Sequence, residues 1–144
     1  MLKFVGVVLG AAFILPFHLP VRADDTEYPI PFQNYLSQLA RESDWIREGS
    51  ANKHYHFISS APTGKLVALS NTTCTNFRLG KTYETIKAGV ITDTNTMFPA
   101  SVITKLGSAG VGRFADVAIK SAVVNNCSQF SSQLPQLNYV LPQD

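Results

Sequence analysis

The sequence predicts an α+β fold, with one N-terminal amphipathic helix packed on an antiparallel sheet. Two observations carry this expectation. Apolar residues recur three or four apart from Phe32 to Ile46, and from Lys53 onward the alternation shifts to a period of two. A single pair of cysteines, Cys74 and Cys127, adds a covalent tie between the middle and the end of the chain.

The first 23 residues read as a secretory signal peptide. Lys3 is followed by an apolar run from Phe4 to Phe17, and Val21-Arg22-Ala23 supplies small or medium residues at a cleavage position. Pro16 interrupts the run, which is shorter than the roughly 20 residues a bilayer span needs. Cleavage after Ala23 leaves residues 24–144 as a single secreted domain with no membrane span, and the expected location is extracellular.

The whole chain has 12 Lys and Arg against 10 Asp and Glu. Two of the bases, Lys3 and Arg22, leave with the leader, so the mature chain is neutral and has no global field to draw in phosphate. The charge is unevenly spread. Residues 24–60 hold Asp24, Asp25, Glu27, Glu42, Asp44 and Glu48 against Arg41, Arg47 and Lys53. Residues 61–120 hold Lys65, Arg78, Lys81, Lys87, Lys105, Arg113 and Lys120 against Glu84, Asp93 and Asp116. A basic face over the second segment is compatible with this, as is a solvated surface whose charges segregate.

Taken in order, Asp24 to Pro31 is an extended entry whose second proline suits a first helical position. The helix that follows places Phe32, Tyr35, Leu36, Leu39, Ser43 and Ile46 on one side, and Gly49 is suited to end it. Beyond Lys53, Tyr55 and Phe57 share one face of a predicted strand, while His54, His56 and Ile58 share the other. Ala61-Pro62-Thr63-Gly64 then reads as a hairpin turn before a second strand from Lys65 to Ser70.

Tyr83 to Asp93 reads as a further strand with a bulge at Gly89. Pro99 to Leu106 suits one short helix, and Gly107-Ser-Ala-Gly110-Val-Gly112 a loop whose glycine order is not the dinucleotide fingerprint. Residues 113–124 fit two periods, Ala115, Val117, Ile119, Ser121 and Val123 as a strand or Phe114, Val117, Ala118 and Ser121 as a helix. The strand is preferred. From about residue 128 the polar, proline-punctuated tail is expected to be irregular.

In an oxidising compartment, Cys74 and Cys127 are expected to form one disulfide, closing a loop of roughly 50 residues and stabilising the fold by about 4 kcal/mol. Metal binding is not expected, because His54 and His56 have no neighbouring Cys, Asp or Glu to complete a site. No cofactor is expected either. Asn71-Thr72-Thr73 matches the N-glycosylation acceptor pattern and makes Asn71 a candidate. Asn126-Cys127-Ser128 matches it too, in conflict with a bonded Cys127.

The leader, the size of the mature chain, the helix followed by antiparallel strands and the single Cys pair resemble the small secreted fungal proteins built on the guanyl-specific ribonuclease fold. Among these are the ribonuclease-like effectors of powdery mildews. The resemblance spans residues 30–127 in element order, with three local matches. It implies that His56 in His54-Tyr-His-Phe57 corresponds to a catalytic strand histidine, Glu84 in Tyr83-Glu84 to the acid/base partner, and Arg113 in Gly112-Arg-Phe114 to the phosphate-steadying arginine. Phosphodiester transesterification needs such a proton acceptor, a proton donor and a fixed cation.

The family's second catalytic histidine has no counterpart, since no histidine follows His56. The function implied is therefore that of a virulence-type effector on a catalytically inactive ribonuclease-like scaffold. It would bind a host protein or RNA, outside or within a host cell. The alternatives are an active secreted ribonuclease, an extracellular or periplasmic binding module, and a peptidase inhibitor.

Overall fold

Pro29, capping the first helix, and Pro31 in its first turn set the chain direction from which the rest of the fold builds. The computed structural model describes residues 28–44, 46–48, 53–54 and 56–136. Residues 1–27, where the leader is expected, Trp45, Tyr55, the segment 49–52 and the end from 137 lie outside the described residues. Helix α1 (Ile30–Ser43) buries Tyr35, Leu36, Leu39 and Ser43, the stripe expected from its spacing. It ends before Ile46, which is also buried.

Two two-residue strands follow, β1 (Arg47–Glu48) and β2 (Lys53–His54), paired antiparallel with Arg47 opposite His54 and Glu48 opposite Lys53. They form the whole of the sheet among the described residues. After a 3-10 turn at Ile58–Ser60 come α2 (Thr63–Arg78), α3 (Tyr83–Met97) and α4 (Ala100–Asn126), and a 3-10 helix at Ser128–Gln133. The expected α+β, ribonuclease-like architecture is thus replaced by a helical bundle, and the element order on which the resemblance rested is not present.

The physical reasons for that correction differ from helix to helix. In α2 the inward positions are Leu66, Val67, Leu69, Ser70, Thr73, Cys74 and Phe77, a helical stripe in which two members are polar. Ser70 and Thr73 hide the stripe from any count of apolar residues, and the short stretch from Lys65 to Ser70 then mimics alternation. Pro62 is not a hairpin residue here. It precedes the first helical turn, where its missing N–H costs nothing, and its carbonyl accepts from the Lys65 and Leu66 amides.

In α3 the content of Val, Ile and Thr suggests a strand, since β-branched side chains favour extended backbone. The helix is nevertheless bounded by a cap, the Thr82 hydroxyl accepting the Thr85 amide N–H at 3.3 Å. Ile86, Val90, Thr94 and Met97 point inward at helical spacing. Gly89 lies on the exposed side and marks no bulge.

Helix α4 is the centre of the molecule, and α1, α2 and α3 all pack chiefly on it. It covers both the expected short helix and the residues expected to be a loop and a strand. From Gly110 to Val123 it buries Val111, Phe114, Ala115, Val117, Ala118, Ile119, Ser121 and Ala122 as well, so apolar residues occur almost all round. A segment buried on nearly every side satisfies both periods, which is why residues 113–124 fit both templates and the preferred strand is in fact helix.

The glycines of 107–112 act inside this helix. Gly107 breaks it at φ 64°, ψ 176°, a backbone state open to glycine and strained for other residues. A Cβ on Gly110 would come within 3.1 Å of the Leu106 Cβ, so its absence relieves a tight contact with the preceding turn, while the Ile46 Cγ2 at 3.7 Å would be in ordinary contact. Phe57, Phe98 and Phe114 fill the adjoining core edge to face, with ring centroids 5.3 to 5.7 Å apart.

Candidate binding cleft and the placement of the predicted site residues

The three residues matched to ribonuclease chemistry fall on three different elements. His56 lies between β2 and the 3-10 turn, exposed, with its Nδ1 2.8 Å from Oδ1 of Asp44 at the end of α1. Glu84 is exposed in the first turn of α3, where its charge complements the helix dipole. Arg113 is exposed on α4. Among the described residues no hydrogen bond or ion pair joins any two of them. The expected face shared by His54 and His56 on a long strand is absent; His54 is the last residue of β2, and its side chain lies outside the described residues.

The polar groups that the fold does bring together tie helices to α4. Lys87 Nζ stands 2.8 Å from Asp116 Oδ1, and the Tyr83 hydroxyl donates to the same oxygen at 2.6 Å. On the opposite seam Lys120 Nζ stands 3.3 Å from Glu42 Oε2. Gln38 donates from Nε2 to Glu42 Oε1 at 2.7 Å and accepts at Oε1 from Asn125 Nδ2 at 2.7 Å. Asn126 Nδ2 donates to Ser70 Oγ at 2.6 Å, joining α4 to α2. Two of the cations in the basic segment, Lys87 and Lys120, are thereby neutralised.

Cys74 and Cys127 are bonded, with Sγ atoms 2.08 Å and Cα atoms 5.9 Å apart, across 53 positions of sequence. Both are buried, and the adjacent Phe77 and Phe130 rings stack at 5.5 Å. The staple therefore holds α2 to the end of α4. Asn71 is exposed on α2, whereas Asn126 is engaged with Ser70 and precedes the bonded Cys127. Tyr35, fully buried on α1, keeps its hydroxyl without a hydrogen-bond partner among the described residues. Burial pushes that hydroxyl well above its ordinary pKa near 10.

A cleft of about 210 Å³ opens between α2 and α3, lined by Lys65, Ala68, Leu69 and Thr72 from one helix and Asp93, Thr96 and Met97 from the other. Leu69 and Met97 form a buried apolar floor. Lys65, Thr72 and Asp93 are exposed at its rim. Their side chains make no hydrogen bond or ion pair among the described residues, and Lys65 and Asp93 are not paired with each other. Thr96 donates from its hydroxyl to the Asp93 carbonyl at 3.0 Å, fixing that edge of the cleft.

Sequence reasoning missed this cleft because it assigned both flanking segments to strands. A helical template would have found it: positions 65, 68, 69 and 72 share one side of a helix, as do 93, 96 and 97. Among the described residues no helix is long and apolar enough to cross a membrane, and no group of three or more His, Cys, Asp or Glu side chains is placed to hold a metal ion. Comparison with protein-family models, with curated proteins and with solved structures found no match to this chain.

Proposed function

We propose that the protein is an exported binding module that engages its ligand at the α2–α3 cleft without turning it over. The observation that carries this reading is the contrast in how charges are used. Lys87, Asp116, Lys120 and Glu42 are spent on tying helices to α4, whereas Lys65 and Asp93 stand unneutralised over an apolar floor. A concave site with a few uncommitted polar groups on an apolar base is the general form of a small-ligand site.

The leader-like residues 1–23 and the bonded Cys74 and Cys127 support export to an oxidising compartment. Among the described residues no hydrogen bond or ion pair joins His56, Glu84 and Arg113, and the proposed ligand site is the cleft instead. Exported protein should begin at Asp24 on N-terminal sequencing. Purified chain and a His56→Ala, Glu84→Ala double variant should both leave single-stranded RNA intact.

The cleft itself is tested by filling it. Ala68 is exposed, so Ala68→Trp should fold normally while occluding the space. Native chain passed through an extract should retain a small molecule, detected by mass spectrometry, that Ala68→Trp does not. RNA cleavage that disappears in the double variant, or equal retention by both chains, would refute the proposal.

A further inference from the structure

The α2–α3 cleft has a size, a charge pattern and a floor that together specify a class of ligand. The cleft holds about 210 Å³ and opens to solvent along a rim of exposed Lys65, Thr72 and Asp93, so it can seat a small ligand without enclosing it. One cation and one anion, Lys65 and Asp93, line the cleft from facing helices without pairing to each other. A lone anion would face Asp93 and a lone cation Lys65, so a ligand of either single sign leaves one charge opposed. A ligand carrying both signs satisfies both.

Between those charges the surface is apolar, with Ala68 beside buried Leu69 and Met97, and the Thr72 hydroxyl is available for a further hydrogen bond. We propose that the cleft binds a free α-amino acid in its zwitterionic form, with an apolar side chain of modest size. Lys65 pairs with the carboxylate, Asp93 with the ammonium group, and the ligand side chain rests on Leu69 and Met97. A peptide terminus brings only one of the two charges, and is disfavoured for the same reason as a simple ion. This inference rests on the reading of the cleft as the binding site.

The test is a titration of isotope-labelled mature chain with L-leucine, followed by backbone amide shifts. L-leucinamide lacks the carboxylate, N-acetyl-L-leucine lacks the ammonium charge and glycine lacks the side chain. L-leucine should give saturable shifts at residues 65–72 and 93–97, in the millimolar range expected of a small ligand in an open site. L-leucinamide, N-acetyl-L-leucine and the variants Lys65→Met and Asp93→Asn should each weaken binding about fivefold, the scale of a partly exposed ion pair. Glycine should bind more weakly than L-leucine.

Equal binding of the blocked forms, tighter binding of either one, or no saturable shift at the cleft would overturn the zwitterion. In that event, a small molecule retained by native chain and lost in Ala68→Trp would leave the cleft standing as a site for another chemistry. Failure of that retention as well would remove the site altogether.

Discussion

The seam between α1 and α4 and the outer side of the α2–α3 pair are built from similar residue types and use them in opposite ways. Along the seam, Glu42, Gln38, Asn125 and Lys120 satisfy one another, and the chain of bonds runs from one helix to the next. Across the α2–α3 cleft, the side chains of Lys65, Thr72 and Asp93 make no hydrogen bond or ion pair among the described residues. The difference lies in what surrounds them. A half-buried charge beside another helix must be paired or it costs free energy, whereas a charge on an outer rim is solvated and can remain uncommitted at little cost. Polar groups that face a neighbouring helix thus report on folding, and those on the rim are free to serve a ligand.

The sharpest break in that comparison would come from the covalent tie on the inner side. Replacing both Cys74 and Cys127 by Ala should lower stability by about 4 kcal/mol, from the chain entropy regained by the loop between them, measured by urea unfolding at neutral pH. A loss under about 1 kcal/mol would mean that packing around Phe77 and Phe130 already holds α2 to the end of α4.

Next in size is the tie between α3 and α4. Asp116→Ala leaves both Lys87 and the Tyr83 hydroxyl without their shared partner and should cost about 2 kcal/mol. Double-mutant cycles with Lys87→Met and Tyr83→Phe should each show coupling, and additive effects would place this cluster with the solvated rim instead.

Tyr35 tests the inner side in the other direction. Its buried hydroxyl has no partner among the described residues, so Tyr35→Phe should stabilise the fold by about 1 kcal/mol at neutral pH. The pKa shift sets a sign at high pH. The folded state holds this phenol protonated above its ordinary value near 10. Unfolded chain therefore loses the proton first, and the stability associated with the neutral phenol is full below pH 10 and declines above it. Native chain should lose stability through that range faster than Tyr35→Phe. Parallel pH profiles would mean that folding does not raise this pKa and that the hydroxyl reaches water.

The smallest effects belong to the rim. Lys65→Met and Asp93→Asn should each change stability by less than about 0.5 kcal/mol in the absence of ligand. A larger loss from either would show that the cleft charges contribute to the fold, and would erase the distinction between the two regions.

How much of this was legible in the residues depends on how each helix is buried. Helix α1 has one wet side and one dry side, and its spacing of Tyr35, Leu36 and Leu39 announces it directly. Helix α2 conceals its stripe behind inward Ser70 and Thr73, and α3 behind β-branched residues. The candidate site inherited those errors. Lys65 and Asp93 looked like unrelated strand positions, while His56, Glu84 and Arg113 were grouped by a resemblance whose element order the bundle does not have.

The residues alone determined the amphipathic first helix and the Cys74 to Cys127 pairing, because the one depends on local spacing and the other on there being just two cysteines. The tertiary structure alone decided that residues 63–78, 83–97 and 100–126 are helical and that Lys65 and Asp93 line one cleft. In that region β-branched, small and polar side chains leave local preference weak, and burial against α4 on several sides supplies the free energy that selects helix over strand.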